Sequence, residues 1–405
     1  MTETKKTLRG LVWMGGLRGF IRVMTFVRLA VLARLLSPFE FGLFGIASLA
    51  LSFLETLTDT GVNVFFIQKE GKLSEYVNTA WIVSILRGVL ISAILFLGAG
   101  VISTFFHSSQ AMFLVRLVAL AALLRGFINP SIVKFRKELE FHKEFLLRVS
   151  TTIADVGVSV AVGIATKSAV SLVWGMVAAV VVEVAISHIL ISPRPSMKLD
   201  IGKFKKVLDR GKWVTAAGIF QYLFANGDNI IVGRLMNTSA LGLYQMAYKI
   251  SIIPITEISD VVSMVTFPVY AKIVNNKKAL SKLFLKILVG LSLAVIPIGG
   301  FIYIYTGWIV KVLVGESWLA IVPVLKILAI FGVIRAIEGA APPLFLAVKK
   351  QEYVTALTLV SIIGLGVTII PFVLRYGIIG AAYSALFGTL ISLPIIVYCL
   401  IKVLI

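Results

Sequence analysis

Apolar residues run along this chain in long stretches, separated by short polar or basic connectors. A hydropathy window of about 19 residues predicts twelve membrane-spanning helices, near 10–35, 40–62, 79–105, 111–130, 147–166, 170–192, 213–235, 240–268, 284–307, 320–347, 353–374 and 378–401. Each approaches the roughly 20 apolar residues that a helix needs to cross a bilayer. The first and eighth carry several charges and stand out least. Between the spans, Ile201–Leu208 (IGKFKKVL) reads as a short amphipathic surface helix, and 131–148 (SIVKFRKELEFHKEFLLR) has a similar pattern.

Composition agrees with a bilayer as solvent. Of 405 residues, 59% are hydrophobic and 14% charged, where an ordinary globular domain is about a quarter charged. A single soluble core could not bury so many apolar side chains. The chain is therefore expected to be an all-α integral membrane protein and not a soluble enzyme. Its one cysteine, Cys399, excludes an intramolecular disulfide, and three scattered histidines show no zinc spacing. No cofactor is expected. The opening MTETKKTLRG has no small-residue cleavage site before the first span, so that helix is read as retained.

The net charge of +20 would suit nucleic acid, but the basic residues sit in connectors between spans. One set of connectors carries Lys5, Lys6 and Arg9; Lys69 and Lys72; Lys134, Arg136, Lys137 and Lys143; the run from Arg194 to Lys212; Lys272, Lys277, Lys278 and Lys282; Lys349 and Lys350; and Lys402. The alternate set holds little beyond Lys167, Lys311 and Arg375. That alternation follows the positive-inside rule. It predicts an even number of spans with both termini in the cytoplasm.

The halves repeat at an offset of 200 residues. VLARLL at 31–36 matches IVGRLM at 231–236, and GLF at 42–44 matches GLY at 242–244. Trp13 matches Trp213, Phe20 matches Phe220 and Ala47 matches Ala247. Six spans per half make the halves parallel, related by an axis along the membrane normal. The expected organisation is a six-helix lobe at 1–192, a basic connector at 193–212 and a second six-helix lobe at 213–405. Such a doublet suits alternating access, with a substrate site between bundles near the midplane.

Ionisable residues inside spans are costly unless paired or wet, and they point to function. Arg18 and Arg22 lie one turn apart on the first helix, with Arg28 beyond them. Lys249 precedes Pro254, and Arg335 and Glu338 precede Pro342 and Pro343. Arg18, Arg22, Arg28, Lys249 and Arg335 could line a cationic cavity for an anionic head group, since guanidinium grips phosphate through paired hydrogen bonds. For Arg335, an i, i+3 pair with Glu338 is an equal reading. Asp228, Glu257, Asp260, Glu55 and Asp59 could bind a coupling Na+ or H+, or could neutralise the arginines. Asp155 and Glu183 stand as lone acids, and Arg34 and Arg234 read as interfacial anchors. The prolines should break and bend their helices.

Three segments carry a family resemblance. They are ARLLSPFEFGLF after the arginine-bearing first helix, DTGVNVFFIQKE at the end of the second, and RGFINPSIVKFRKELEFHKEF after the fourth. With them the chain resembles polysaccharide-transport flippases, the O-antigen and exopolysaccharide branch of the multidrug/oligosaccharidyl-lipid/polysaccharide exporter superfamily. The resemblance implies two lobes around a cationic central cavity, and transfer of a polyprenyl-diphosphate-linked glycan across the cell membrane. It implies membrane lipids, a polysaccharide polymerase and glycosyltransferases as partners. It also implies diphosphate binding by helix-1 arginines, matched by Arg18 and Arg22, and by a basic residue in helix 8, matched by Lys249. A multidrug exporter of the same superfamily shares the fold, but such exporters usually bind cations. A major-facilitator transporter would carry a Gly-Asp-Arg-Gly-Arg type loop where this chain has QKEGKLSEYVN. A polymerase or membrane glycosyltransferase would need a large outer loop or an acidic catalytic motif.

Overall fold

A computed structural model describes residues 3–59, 74–138, 140–198 and 200–404. Lys69 and Lys72 lie outside the described residues. So do the side chains of Lys5, Lys6, Arg9, Trp13, Arg136, Lys137, Trp213 and the cations from Lys203 to Lys212. Every regular element among the described residues is helical. Two compact units are present, Met1–Leu223 and Phe224–Ile405.

The first unit contains α1 (Glu3–Leu35), α2 (Pro38–Leu57), α3 (Ser74–Phe105), α4 (Ala111–Arg125), α5 (Phe141–Thr166) and α6 (Val170–Ile189). It also contains α7 (Ile201–Leu235) as far as Leu223. The second unit holds the rest of α7, α8 (Thr238–Ser251), α9 (Ile253–Ile273), α10 (Lys277–Ile304), α11 (Thr306–Leu313), α12 (Val322–Glu338), α13 (Ala341–Ala347), α14 (Gln351–Leu390) and α15 (Leu393–Leu404). In the first unit α1 packs on α5, α5 on α6, and α3 on α4. In the second, α10 and α14 both pack on α12.

Within the described residues, each of the twelve predicted spans overlaps a helix, and residues 60–62 of the second lie outside them. By length and composition alone, seven stretches among the described residues are apolar enough to cross a membrane, or eight if the bent pair α8 and α9 counts as one span. The difference from twelve has local causes. Helix α1 carries Arg18, Arg22 and Arg28, α4 is only 15 residues long, and the predicted span on α7 carries Gln221, Asn226, Asp228 and Asn229. The last two predicted spans run together as one 54-residue stretch. A backbone break at Gly377 (φ 62°, ψ −140°) divides them, in a region of φ/ψ open to glycine.

The repeat is built into the helix starts. Ser37 caps α2 by accepting from the Glu40 N–H at 3.4 Å, and Asn237 caps α8 by accepting from the Ala240 N–H at 2.8 Å. Both satisfy a backbone donor that the first helical turn leaves open. Arg34 and Arg234 occupy the last turns of α1 and α7, where a cation complements the helix dipole. Pro254 sits at the start of α9, next to the 48° bend with α8. Pro342 and Pro343 open α13 after the break that follows Glu338. At these points the missing proline N–H and the ring clash prevent a continuous helix.

Two expectations need correction. Residues 201–208 do not form a separate surface helix; they are the first turns of the 35-residue α7. No proline interrupts that run, and helix propagation is favourable once started. Residues 131–148 likewise form no single helix. They divide into short helical turns at Pro130–Val133 and Lys134–Lys137, followed by α5. The described part of the connector packs on the first unit. The Asn129 amide and the Ser131 hydroxyl donate to the Pro193 carbonyl, and the Ser196 and Asp200 N–H groups donate to Asn78 and Thr79. The compact units accordingly divide inside α7, beyond residues 193–212.

Candidate functional site

The first unit is laced with ion pairs. Arg28 of α1 donates to the Asp155 carboxylate of α5, and the two side chains are only 22% and 24% exposed. Asp155 also accepts from the Ser159 hydroxyl. Helix α6 approaches here through Gly175, where an added Cβ would lie 2.6 Å from the Asp155 carbonyl oxygen. Elsewhere in the unit a cavity of about 260 Å³ is lined by Glu55, Asp59, Arg87, Arg125, Arg148 and Glu183, among others. Arg125 pairs with Glu55, and Arg148 donates to Glu183 at 3.1 Å. Arg87 donates to the Thr58 hydroxyl and to the Glu55 carbonyl, both at the end of α2. Three arginines and three acids share this cavity, so it carries no net formal charge.

Asp155 and Glu183 are therefore not lone acids. Each meets an arginine that sequence spacing could not reveal, 127 residues away for Asp155 and 35 for Glu183. Arg28 and Glu55, candidates for head-group and ion binding respectively, are each committed to an ion pair. Asp59 lines the balanced cavity beside Glu55. Arg18 and Arg22 lie half-buried four residues apart on α1, on the same helix face.

The second unit is organised differently. Asp228 of α7 is 5% exposed. Its Oδ1 accepts from the Asn229 backbone N–H and side-chain amide at 2.7 and 2.9 Å, and its Oδ2 accepts from the Tyr244 hydroxyl at 2.8 Å. All three donors are neutral. Beside it lies a small cavity of about 20 Å³, lined among others by Tyr248, Arg335, Ser361 and Thr389. A wider cavity of about 610 Å³ shares Tyr248 and Arg335 and adds Thr256, Asp260 and Met264. Among the described residues, no three His, Cys, Asp or Glu side chains converge to hold a metal ion.

Arg335 does not pair with Glu338. Its guanidinium stacks over Phe224 at 4.8 Å and Phe331 at 5.6 Å, whereas Glu338 accepts from the Ser392 hydroxyl at 3.2 Å. Two aromatic faces within reach offer the guanidinium an alternative to a carboxylate. Asp228 and Asp260 line different cavities, and Asp260 is exposed. Lys249 and Glu257 are half-buried, on α8 and α9.

The profile of a family described as "Polysaccharide biosynthesis protein" matches residues 31–323, well over half of the chain. The chain belongs to that family. Among relatives, the lipopolysaccharide biosynthesis protein WzxC of Escherichia coli (strain K12) is 23% identical over 358 residues, covering 87% of this chain and 72% of that one. Among solved structures, the lipid II flippase MurJ in an inward closed conformation matches with a TM-score of 0.79 at 15% identity. That match covers 97% of this chain and 89% of MurJ. An inward-facing multidrug resistance MATE family transporter of the MOP superfamily matches with a TM-score of 0.72 at 13% identity, covering 95% and 94% of the two chains. This family member therefore has the fold shared by MurJ and MATE transporters. It is a helical protein of the polysaccharide biosynthesis family with several helices long and apolar enough to cross a membrane, and the two structural neighbours are named as a flippase and a transporter.

The sequence alone did not single out Tyr244, Ser361, Thr389, Arg87, Arg125 or Arg148. One signal was present in the repeat. At the same offset of 200, Arg28 corresponds to Asp228 and Phe44 to Tyr244. Where the repeated halves disagree, the second half has exchanged a cation for an acid and gained the hydroxyl that binds it.

Proposed function

We propose that this protein is a flippase that moves a polyprenyl-diphosphate-linked oligosaccharide across the cytoplasmic membrane by alternating access, for surface polysaccharide synthesis. In this reading the chain makes about twelve crossings, in two parallel six-helix lobes around a cationic cavity, with both termini in the cytoplasm. Membership of the polysaccharide biosynthesis family is the observation that carries it. The fold shared with a lipid II flippase supports it, as do intramembrane arginines suited to a diphosphate.

Arg18 and Arg22 are the principal diphosphate contacts, helped by Lys249 and Arg335. Lysine contributes charge without the planar fork of arginine. Of the acids, Asp228 is the best coupling-ion ligand, because the donors bonded to it are neutral and a small cavity adjoins it. Glu55 serves as an ion-pair partner. A small-molecule exporter of the same fold would draw on the MATE likeness, but the arginines of α1 suit an anion better.

Deletion of the gene, followed by recovery of lipid-linked saccharides and determination of their leaflet, tests this function. The expected result is accumulation on the cytoplasmic leaflet with loss of surface polysaccharide. Arg18→Ala combined with Arg22→Ala should give the same loss while the protein still inserts in the membrane. Normal surface polysaccharide in that double variant would exclude diphosphate gripping by α1.

A further inference from the structure

The first turns of α10 carry Lys278, Lys282 and Lys286, spaced four residues apart and all exposed. That spacing puts them on one helix face. Among the described residues, none of the three has an ion pair or hydrogen bond to another side chain. Like charges at i, i+4 repel, and the positive end of the helix dipole disfavours cations. No acid lies in the first turn to offset them, and the cap is the neutral Asn276, which accepts from the Ala279 N–H at 3.0 Å. The same face continues as Val289, Leu293 and Ile296, all exposed. The six residues lie within an arc of about 80°. A line of uncompensated cations that runs without a break into exposed apolar surface is complementary to an anionic amphiphile.

The corresponding helix of the first unit is finished differently. At the offset of 200, Ala80, Ile91, Leu95 and Ala99 of α3 match Leu280, Leu291, Val295 and Gly299 of α10, and all eight are buried. Lys278, Lys282 and Lys286 then correspond to Asn78, Ile82 and Leu86. The connector covers this end of α3, where the Ser196 N–H donates to Asn78 at 2.8 Å and the Asp200 N–H to Thr79 at 3.3 Å. Among the described residues, no such hydrogen bond reaches Lys278 or Ala279 from another segment. A signal for orientation needs only enough cations near the end of a span, in any register. Here the register is kept, and Lys286 lies inside the predicted span at 284–307. The three Cα atoms extend over about 12 Å of helix. Helix side chains lean toward the N-terminus, so the long Lys286 stem can return its ammonium toward Lys282 and the level of one phosphate.

We propose that this face of α10 binds an anionic phospholipid of the cytoplasmic leaflet. The lipid phosphate lies against Lys278, Lys282 and Lys286, and an acyl chain lies along Val289, Leu293 and Ile296. None of these residues lines the cavities described above, so the site is separate from them. The proposal takes from the transport reading only the cytoplasmic placement of the α10 start, on the side where anionic lipid attracts basic segments.

The test is native mass spectrometry of the purified full chain in detergent, titrated with phosphatidylglycerol and with phosphatidylethanolamine of the same acyl chains. The wild type should bind phosphatidylglycerol in preference, at a saturable site. Lys278→Gln/Lys282→Gln/Lys286→Gln should weaken that lipid about a hundredfold, at about fivefold per lysine, and leave phosphatidylethanolamine unchanged. Lys349→Gln/Lys350→Gln/Lys402→Gln removes the same charge elsewhere and should bind as the wild type does. Lys286→Leu with Asn275→Lys keeps the number of cations but takes one off the face, and should lose about fivefold. Unchanged binding in either variant of the α10 face, or an equal loss in both triple variants, overturns the proposal. Farnesyl diphosphate that displaces equimolar phosphatidylglycerol from the wild type, and no longer binds the α10 triple variant, would make the face a dock for a polyprenyl diphosphate and overturn the phospholipid assignment. Sidedness is read separately. Labelling of Asn275→Cys in intact cells by an impermeant thiol reagent would overturn the cytoplasmic placement and the leaflet with it.

Discussion

The two units are repeats in sequence and opposites in electrostatics. In the first, the intramembrane acids Glu55, Asp155 and Glu183 are each paired with an arginine from another helix. In the second, Asp228 is held by a tyrosine hydroxyl and an asparagine, and the nearby Arg335 rests on aromatic faces. A paired carboxylate and guanidinium satisfy each other and hold their helices in register. A carboxylate held by neutral donors still has charge to share with an ion. The same helical frame therefore holds its acids with guanidinium partners in one unit and with neutral donors in the other.

The largest effect should come from breaking the first unit's fixed pair. Arg28→Ala leaves a part-buried Asp155 without its counter-charge and is expected to cost about 3–5 kcal/mol of stability. Unfolding in detergent would measure it. The Arg28→Ala/Asp155→Ala double variant should recover part of the loss, and strict additivity of the two changes would contradict a direct pair.

Next come the two close glycine approaches. Gly175→Ala places a methyl 1.8 Å from the Ser159 Oγ and 2.6 Å from the Asp155 carbonyl, whereas Gly388→Ala meets the Ser361 carbonyl at 2.9 Å and the Leu365 N at 3.0 Å. Overpacking of this kind costs about 1–3 kcal/mol, and Gly175→Ala should lie at the upper end. A milder melting shift for Gly175→Ala than for Gly388→Ala would reverse the contrast.

Smaller again is Arg335→Ala. It removes stacking worth about 0.5–2 kcal/mol, so the second unit should lose far less stability than the first loses with Arg28→Ala. A loss as large as that of Arg28→Ala would show Arg335 to be a structural anchor. At the low end, Asn237→Ala should cost about 1 kcal/mol. Ser37→Ala should cost less, because the Ser37 bond is long, 3.4 Å against 2.8 Å. Equal shifts in melting temperature would place the two caps on the same footing.

Hydropathy located the helices because a bilayer imposes one dominant requirement, an apolar stretch of fixed length. The repeat was legible for a similar reason, since the turns at Ser37 and Asn237 need short polar caps at equivalent positions. The breaks at Pro254 and at Pro342 and Pro343 followed from the missing N–H. Pairings between distant helices were not legible. Nothing local to Asp155 points to Arg28, and the i, i+3 spacing of Arg335 and Glu338 suggested a pair that two phenylalanines and Ser392 displace. The run 201–208 looked like a surface helix because charge pattern marks a face but not where a helix ends. Asp228 was visible as an intramembrane acid. Its partner Tyr244, and Ser361 across the small cavity, became visible only once packing placed three helices around it.

Reconstitution into liposomes tests the central claim most directly. A labelled polyprenyl-diphosphate saccharide is incorporated with the purified protein, and its exposure to a membrane-impermeant enzyme that cleaves the saccharide is followed over time. Wild-type protein should bring the lipid of the inner leaflet within reach of the enzyme, and the Arg18→Ala/Arg22→Ala variant should leave about half of it protected, as expected for lipid shared between two leaflets that apolar tails and a charged head group keep apart. Wild-type liposomes that protect the same half as protein-free ones would contradict the account.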